Sequence, residues 1–168
     1  VCSSDLKIFA EIVGFGQTCD AFHITAPDEH GSGATLAIQN ALAMAGKGPA
    51  DVDYMNAHGT GTRLNDSIET KAIKNALGEH AYNVAISSTK SMTGHGMGAT
   101  GAIETVFCTK ALMDQIVPPT ISMVEADPEC DLDYVSEGAR KLDLNLVTNH
   151  AFGFGGHNAV LALAKIGR

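Results

Sequence analysis

The sequence predicts one α/β domain built on a mixed β-sheet. Segments rich in β-branched and aromatic residues alternate with segments of helical pattern, the order typical of a layered α/β domain. The last two apolar segments are joined by residues 153–156, GFGG. This connection is too short for a parallel crossover, so these two strands are predicted to be antiparallel. The length of 168 residues suits one domain of ordinary size.

The first predicted elements are a strand and an uncharged helix. Residues 7–19 are rich in Ile, Val and Phe, which favours a strand, and residues 20–31 predict a loop. We expect Ser32 to cap a helix that continues to about Gly46, where Gly and a following Gly-Pro end it. This helix carries no charged residue, so it is expected to be covered on most sides.

A short strand and a second helix follow. Residues 52–58, VDYMNAH, predict the strand, and residues 58–66 predict a loop rich in Gly and Thr. Asp66 is expected to cap the helix at 66–78. Glu69, three residues later, is expected to complete a capping box with it.

The second half of the chain continues the alternation and ends in strands. Pro118 and Pro119 exclude a helix after the third helical segment. The remaining predicted elements are a strand at 84–90, a glycine loop at 91–101, a helix at 101–115, an extended segment at 117–122, an acidic loop at 125–131 and strands at 133–136, 146–152 and 158–166.

Composition excludes several classes of protein. A net charge of −8 with 11 Lys and Arg residues argues against a nucleic-acid binder. No apolar run is long enough for a membrane span, and no signal peptide is visible. Because the chain does not begin with Met, we expect a piece of something longer. No CxxC pair is present, which argues against a zinc ribbon and for a reduced, cytosolic protein. The four cysteines are Cys2, Cys19, Cys108 and Cys130.

Residues 96–101, GMGATG, match the pattern GxGxxG of dinucleotide-binding proteins. Such a site needs the pattern directly after a strand, with an acidic residue about twenty residues later. Here residues 89–95 intervene, and no acidic residue stands at the end of a following strand. We therefore favour tight helix packing as the reason for these small residues.

Three loops with Gly beside His or Phe follow predicted strands, where α/β proteins concentrate their chemistry. Two of them place His58 and His95 at the ends of neighbouring strands. A zinc site would need a third ligand, which Asp66 or Glu69 could supply, but we do not favour metal catalysis. The three loops are NAHGTGT at 56–62, SSTKSMTGHG at 87–96 and FGFGG at 152–156.

The motifs NAHGTGT, STKSMTGHGMGATGA and FGFGG together closely resemble the β-ketoacyl-[acyl carrier protein] synthases, most of all the elongating synthase II type. The resemblance covers residues 7–168, whereas residues 1–6 form a lead-in that does not match. It implies a thiolase-like fold of two similar halves in an α-β-α-β-α stack, each half with a mixed five-stranded sheet. This chain would be the C-terminal half. The nucleophilic Cys would lie in an N-terminal half, since none of the four cysteines stands in the family's nucleophile motif.

The resemblance implies a reaction and its participants. The reaction is a decarboxylating Claisen condensation in fatty acid elongation, in which an acyl thioester and malonyl-[acyl carrier protein] give 3-oxoacyl-[acyl carrier protein]. It implies no cofactor or metal besides the carrier's phosphopantetheine arm. The implied partners are acyl carrier protein and, at full length, a second copy in a homodimer, with no nucleic acid or membrane. The implied location is the bacterial cytoplasm or the plastid stroma, and this chain alone is expected to be inactive.

The resemblance also gives roles to side chains. His58 and His95 would donate ring N–H groups to the oxygen of the enolate formed on decarboxylation, each with a backbone N–H at its other nitrogen. Lys90 matches a buried lysine and Glu104 the acid that pairs with it. The less favoured alternative is that Glu104 is only an acidic residue near the start of a helix.

Phe154 matches the gate residue of the family, whose ring opens and closes the Cys pocket and whose backbone N–H completes an oxyanion hole. Phe152 next to it is expected to pack. The other residues with implied roles are the gate-loop glycines Gly153, Gly155 and Gly156, the phosphopantetheine-binding threonines Thr60, Thr62 and Thr25, and the acids Asp66 and Glu69 of a polar network near the lysine.

Two positions depart from the family pattern. His150-Ala151 stands where Asn-Ser is usual, which leaves open how the gate loop is anchored, and Arg63 stands where Pro is common. A non-catalytic partner subunit of the chain-length-factor type is the alternative, although the two histidines and the lysine argue against it. A modular polyketide synthase domain fits less well, because the chain ends at Arg168.

Overall fold

Five strands form a mixed sheet in a computed structural model that describes residues 6–167; residues 1–5, which include Cys2 and most of the unmatched lead-in, and Arg168 lie outside it. The order across the sheet is β1-β7-β6-β2-β3, and β4 pairs with β5 in a separate ladder. The strands are β1 (Glu11–Cys19), β2 (Tyr54–Asn56), β3 (Ala85–Ser87), β4 (Ile116–Val117), β5 (Arg140–Lys141), β6 (Leu146–Gly153) and β7 (His157–Ala164).

Both pairing directions occur within the large sheet. β1 with β7 and β7 with β6 are antiparallel, whereas β6 with β2 and β2 with β3 are parallel. The predicted mixed sheet and the tight turn between the last two strands are therefore confirmed. The helices are α1 (Ser32–Met44), α2 (Arg63–Leu77), α3 (Lys90–Thr93) and α4 (Thr100–Asp114), with 3-10 turns at Pro49–Asp51, Gly78–Tyr82 and Met97–Ala99.

The sheet is covered on both faces, which makes the domain three layers thick. α1 and α2 share one apolar cluster with the sheet, and α4 shares the other. Met55 belongs to the first cluster and Tyr54, its neighbour in β2, to the second, because successive strand side chains point to opposite faces. No helix in the described part of the chain is long and apolar enough to cross a membrane.

Glycines in β1 let this strand lie directly against α1. A Cβ atom built on Gly16 would lie 1.9 Å from the carbonyl oxygen of Ala37, and one on Gly14 would lie 2.1 Å from that of Ala41. Only residues without a side chain fit at such a distance. α1 was expected to be covered on most sides, but only one face is buried, and Leu36 and Met44 on the helix are 49% and 69% exposed.

The starts of α1 and α2 differ from the prediction. Ser32 is the first residue of α1 and not its cap; instead the carboxylate of Asp28 accepts the backbone N–H of Ser32 at 2.9 Å. α2 begins at Arg63, so Asp66 lies within its first turn and is not its N-cap. The predicted capping box is wrong, because the backbone groups that Glu69 accepts from are the N–H groups of His58 and Gly59 after β2 and not that of Asp66.

Three other expectations need correction. Residues 133–136 are not a strand, since Val135 has a φ of 50°, which breaks an extended segment. The predicted strand at 84–90 ends at Ser87, and α3 begins at Lys90, which was expected to lie in a strand. The first strand begins at Glu11 and not at residue 7. β5 and the 3-10 turns are too short to leave a periodic pattern in the sequence.

Candidate active site

A cavity of about 490 Å³ opens beside the carboxyl ends of β2 and β3. These strands are parallel, so the loops that follow them meet at one edge of the sheet. The wall includes Ala57 and Gly59 but not His58, which lies between them in the chain, and it includes neither Phe154 nor Thr25. Among its polar members are Thr60, Thr62, Asp66, Glu69, Lys90 and His95.

Glu69 fixes the backbone at His58. Its two carboxylate oxygens accept the N–H groups of His58 and Gly59, each at 2.8 Å. The acid reaches these groups because α2 follows the loop after β2 immediately. Gly59 has a φ of 39°, and a Cβ there would lie 2.5 Å from the Cβ of Ser88, so the turn requires glycine.

The two histidine rings face each other. The ring centroids of His58 and His95 are 5.5 Å apart and the planes are inclined at 85°. Nδ1 of His95 accepts the backbone N–H of Met97 at 3.0 Å, which leaves the proton of the neutral ring on Nε2. Nδ1 of His58 is buried and has no hydrogen-bond partner among the described residues, so the expected backbone partner exists for His95 and not for His58.

Burial keeps the ring of His58 neutral. Loss of hydration lowers the pKa of His58 from 6.5 to about 4, and the nearby Lys90, His95 and His150 act in the same direction. The carboxylate of Glu69 opposes this shift without cancelling it. At neutral pH the ring therefore carries one N–H donor and no charge.

A second buried histidine lies behind Glu69. His150 in β6 places Nδ1 at 3.2 Å from Oε1 of Glu69 and Nε2 at 3.1 Å from Oγ1 of Thr148. Burial alone would raise the pKa of Glu69, but the hydrogen bond and charge of His150, with His58 and the N–H of Gly59, lower it to about 2. The sequence marked this position only as a departure from the family pattern.

Lys90 and Glu104 form a buried ion pair. Nζ of Lys90 lies 2.6 Å from Oε1 of Glu104, and their side chains are 4% and 1% exposed. Burial raises the pKa of Glu104, while Lys90 and the hydroxyl of Thr89 oppose the increase. Glu104 is thus more than an acidic residue at a helix start, since it is buried and takes a lysine at the cavity wall as its partner.

A buried polar network that the sequence did not reveal joins β2, β6 and α4. The amide of Asn56 donates to that of Asn149 at 3.0 Å, and Oδ1 of Asn56 accepts the hydroxyl of Thr89 at 3.2 Å. Asn149 donates in turn to the carbonyl of Gly101 and the hydroxyl of Thr105. The start of α4 is therefore bonded to the sheet. The tight helix packing expected at GMGATG is not found among the described residues, since a Cβ on Gly98 would meet no atom within 4 Å and one on Gly101 would lie 3.8 Å from the Cβ of Ala151.

The three threonines occupy different surroundings. The hydroxyls of Thr60 and Thr62 are 2.8 Å apart in the cavity wall. Thr25 is exposed, and its N–H donates to Nδ1 of His23 at 3.1 Å. Asp66 is half-buried next to the amide of Asn65, and burial raises its pKa. The polar contacts of Asp66 extend toward Glu69 and not toward Lys90, which forms its ion pair with Glu104.

The loop between β6 and β7 is anchored by backbone groups. The N–H of Gly155 donates to the carbonyl of Ile24 at 2.7 Å, and the carbonyl of Gly156 accepts the N–H of Asp20 at 2.8 Å. Phe154, directly before these two anchors, is 71% exposed. Phe152 packs instead, with its ring centroid 5.7 Å from those of both His58 and His150.

The three cysteines within the described residues lie in different surroundings. Cys108 is buried in the apolar face of α4, and desolvation raises the pKa of its thiol. Cys19 is exposed at the end of β1, and half-buried Cys130 lines the cavity, where burial raises its pKa. A raised pKa keeps a thiol protonated and weakens it as a nucleophile.

Comparison with known proteins defines the family. Residues 9–124 match the family described as "Beta-ketoacyl synthase, C-terminal domain". The chain therefore belongs to the β-ketoacyl synthases. It is 55% identical over 159 residues to 3-oxoacyl-[acyl-carrier-protein] synthase 2 of Synechocystis sp. (strain ATCC 27184 / PCC 6803 / Kazusa), an alignment that covers 95% of this chain and 38% of that relative.

Solved structures confirm the thiolase-like fold class. The ishigamide ketosynthase/chain length factor superposes with a TM-score of 0.91 at 40% identity, covering 96% of this chain and 39% of that one. A second match is a chain from the complex of a type II polyketide synthase acyl-carrier protein with its ketosynthase, bound to the hexaketide. It superposes with a TM-score of 0.93 at 36% identity, and the alignment covers 96% of this chain and 40% of that chain. This chain thus spans about two-fifths of the proteins it matches.

Proposed function

We propose that this chain is the C-terminal half of a β-ketoacyl-[acyl carrier protein] synthase of the synthase II type and supplies the His/His/Lys part of its active site. The nucleophilic Cys would come from residues that precede this chain. The observation that carries the proposal is the facing pair His58 and His95 beside the Lys90–Glu104 ion pair, at one edge of the sheet. The 55% identity to a synthase 2 supports the assignment to fatty acid elongation.

The proposed reaction joins two thioesters with loss of carbon dioxide. The acyl group is first transferred to the Cys sulfur. The malonyl thioester then loses carbon dioxide, and the electron pair of the broken C–C bond forms an enolate. The enolate carbon attacks the acyl carbonyl, the Cys thiolate leaves, and 3-oxoacyl thioester is formed.

The two histidines would stabilise the enolate oxygen. Nε2–H of His95 is free to donate because Nδ1 is held by the backbone. His58 is uncharged, since its pKa is near 4, and so offers one N–H without giving up a proton. Two preorganised donors at a developing negative charge are an effective arrangement for this step.

Other residues would hold the substrate and control access. Lys90 contributes a positive charge to the cavity wall, and the paired hydroxyls of Thr60 and Thr62 are suited to a phosphopantetheine arm. Phe154 would act as the gate, since its exposed ring lies next to a backbone that is anchored at Gly155 and Gly156. We infer acyl carrier protein as the partner, which the solved complex of a carrier protein with its ketosynthase supports, and a homodimer at full length.

A chain-length-factor-like subunit is the second candidate, because one matching structure is a ketosynthase/chain length factor. Such a subunit has the same fold but does not catalyse the condensation. The presence of both histidines, the lysine and its acidic partner favours the catalytic assignment.

Alanine substitutions test the proposal in a completed enzyme, here this chain joined to the preceding portion of the Synechocystis relative. We expect His58→Ala or His95→Ala to slow labelled carbon dioxide release from malonyl thioester by about 10²–10³-fold. Acylation of the Cys should fall much less, since backbone N–H groups would hold that oxyanion. The double variant should lose less than the product of the two effects, because the donors act together.

Exposed His30 provides the control, since His30→Ala should change neither rate. Loss of acylation with full retention of decarboxylation in both single variants would contradict these roles.

A further inference from the structure

His150 is a buried histidine without a role in the proposed chemistry. It is 0% exposed, and each ring nitrogen has a polar neighbour within 3.2 Å. Because the carboxylate of Glu69 can only accept, the proton on Nδ1 points to Glu69. Nε2 makes its contact with the hydroxyl of Thr148, which can donate to the ring or accept from it.

Glu69 connects this histidine to the facing pair. Oε1 of Glu69 accepts from both Nδ1 of His150 and the N–H of His58, while Oε2 accepts from the N–H of Gly59. The acid is almost completely buried, so water does not replace a lost donor. Without His150, the carboxylate of Glu69 would lose the hydrogen-bond donor that connects it to β6.

Phe152 packs against both histidines. Its ring centroid is 5.7 Å from those of both His58 and His150. The ring of His58 is thus held by packing against Phe152 and through its own backbone N–H, which Glu69 binds. Its orientation toward His95 depends on both.

We propose that His150 is a positioning residue for His58. It donates from Nδ1 to Glu69, and Glu69 fixes the backbone of His58 and Gly59 so that the ring of His58 faces His95. The inference rests on the proposed function, since the group that is positioned is one of the two enolate donors. It goes beyond that function because it places a residue of β6, outside the cavity wall, in control of the donor geometry.

Two amide substitutions separate the two contacts of His150. In His150→Asn the side-chain nitrogen lies near the place of Nδ1 and can still donate to Glu69. In His150→Gln the amide lies near the place of Nε2 and keeps only the contact with Thr148. Each variant retains one polar contact and loses one, so similar losses of stability are expected.

In the completed enzyme, the two variants should differ in rate. We expect His150→Gln to lower kcat for carbon dioxide release by about 10- to 100-fold with KM unchanged, because a misplaced donor impairs the transition state. The conservative His150→Asn should restore most of this rate. Acylation of the Cys should be unaffected in both. Equal carbon dioxide release by the two variants would overturn the proposal.

Amide hydrogen exchange provides a readout that does not need activity. In the 168-residue chain, exchange at the N–H groups of His58 and Gly59 should be about tenfold faster in His150→Gln than in His150→Asn. If the unsubstituted completed enzyme releases no carbon dioxide, the proposed function fails while this measurement still decides the inference. Equal exchange in the two variants would overturn it.

Glu69→Gln tests the connection through the acid even if one His150 variant is poorly folded. Adding His150→Gln to Glu69→Gln should cause little further loss of decarboxylation, since both act through the same carboxylate. Independent, multiplying effects would show that His150 acts by another route and would overturn the proposal.

Discussion

His58 and His95 are held in different ways, and this difference determines what each can donate. Nδ1 of His95 is occupied by a backbone N–H, so its free donor is Nε2–H. His58 is held through its own backbone by Glu69, and burial keeps its ring uncharged. A neutral donor such as His58 would suit the stabilisation of the proposed enolate oxygen better than an acid, because it adds no proton to the carbon that must attack.

His58 is expected to titrate near pH 4 in a histidine NMR titration of the chain. Its folded-state pKa lies below the unfolded value of 6.5, so the unfolded chain binds the proton first as the pH falls. The free energy of unfolding should therefore decrease by up to about 3 kcal/mol between pH 6.5 and 4. His58→Gln should lack this part of the decrease in urea unfolding. Titration near 6.5 would contradict the burial of the ring.

The Lys90–Glu104 pair predicts a non-additive effect on stability. Lys90→Met should lower the free energy of unfolding by about 3–5 kcal/mol, because it leaves a buried carboxylate without its positive partner. The double variant Lys90→Met/Glu104→Leu should recover most of this loss, as measured by urea unfolding. A double variant no more stable than the single one would argue against a buried ion pair.

At the scale of elements, the order of strands and helices could be predicted, but several boundaries could not. The start of α2 was misplaced because Asp66 and Glu69 stand at capping-box spacing, whereas Glu69 is used by the loop after β2. The segment 133–136 alternates like a strand, yet its backbone turns at Val135. In both cases tertiary contacts outweigh the local pattern.

The candidate site was predictable only through the motifs of the family. Composition and spacing gave glycine loops at strand ends and two histidines there. The bonds of Asn56, Asn149 and His150 could not be predicted, because a polar residue within a strand carries no signal of its partner, which is distant in sequence.

The contact between β1 and α1 predicts a sharp contrast between two glycines. Gly16→Ala should lower the free energy of unfolding by about 3 kcal/mol or more, since a Cβ there would lie 1.9 Å from a backbone oxygen. Gly98→Ala is the matched control, because its Cβ would meet no atom within 4 Å. It should change stability by less than about 0.5 kcal/mol in the same urea experiment. Equal effects would contradict the close packing.

At the scale of the whole molecule, large apolar side chains are exposed on and near the edge strand β1. Such surface is unusual for a monomer and suits a face that another part of the protein covers. The exposed residues include Ile8, Phe9, Ile12, Phe22, Ile24 and Phe154.

We therefore expect the chain alone to bind a hydrophobic dye strongly, and the completed enzyme to bind it far less. Dye fluorescence at equal molar concentration of the two proteins is the measurement. Equal fluorescence would mean that the N-terminal portion does not cover this surface.

The most direct test of the central claim is turnover with acyl- and malonyl-[acyl carrier protein] by the purified 168-residue chain and by the completed enzyme. The proposed division of the site places the nucleophile outside this chain and the two histidines within it. The chain alone should give no 3-oxoacyl product, the completed enzyme should give it, and His58→Ala should abolish most of that activity. Robust product from the chain alone would contradict the division of the site.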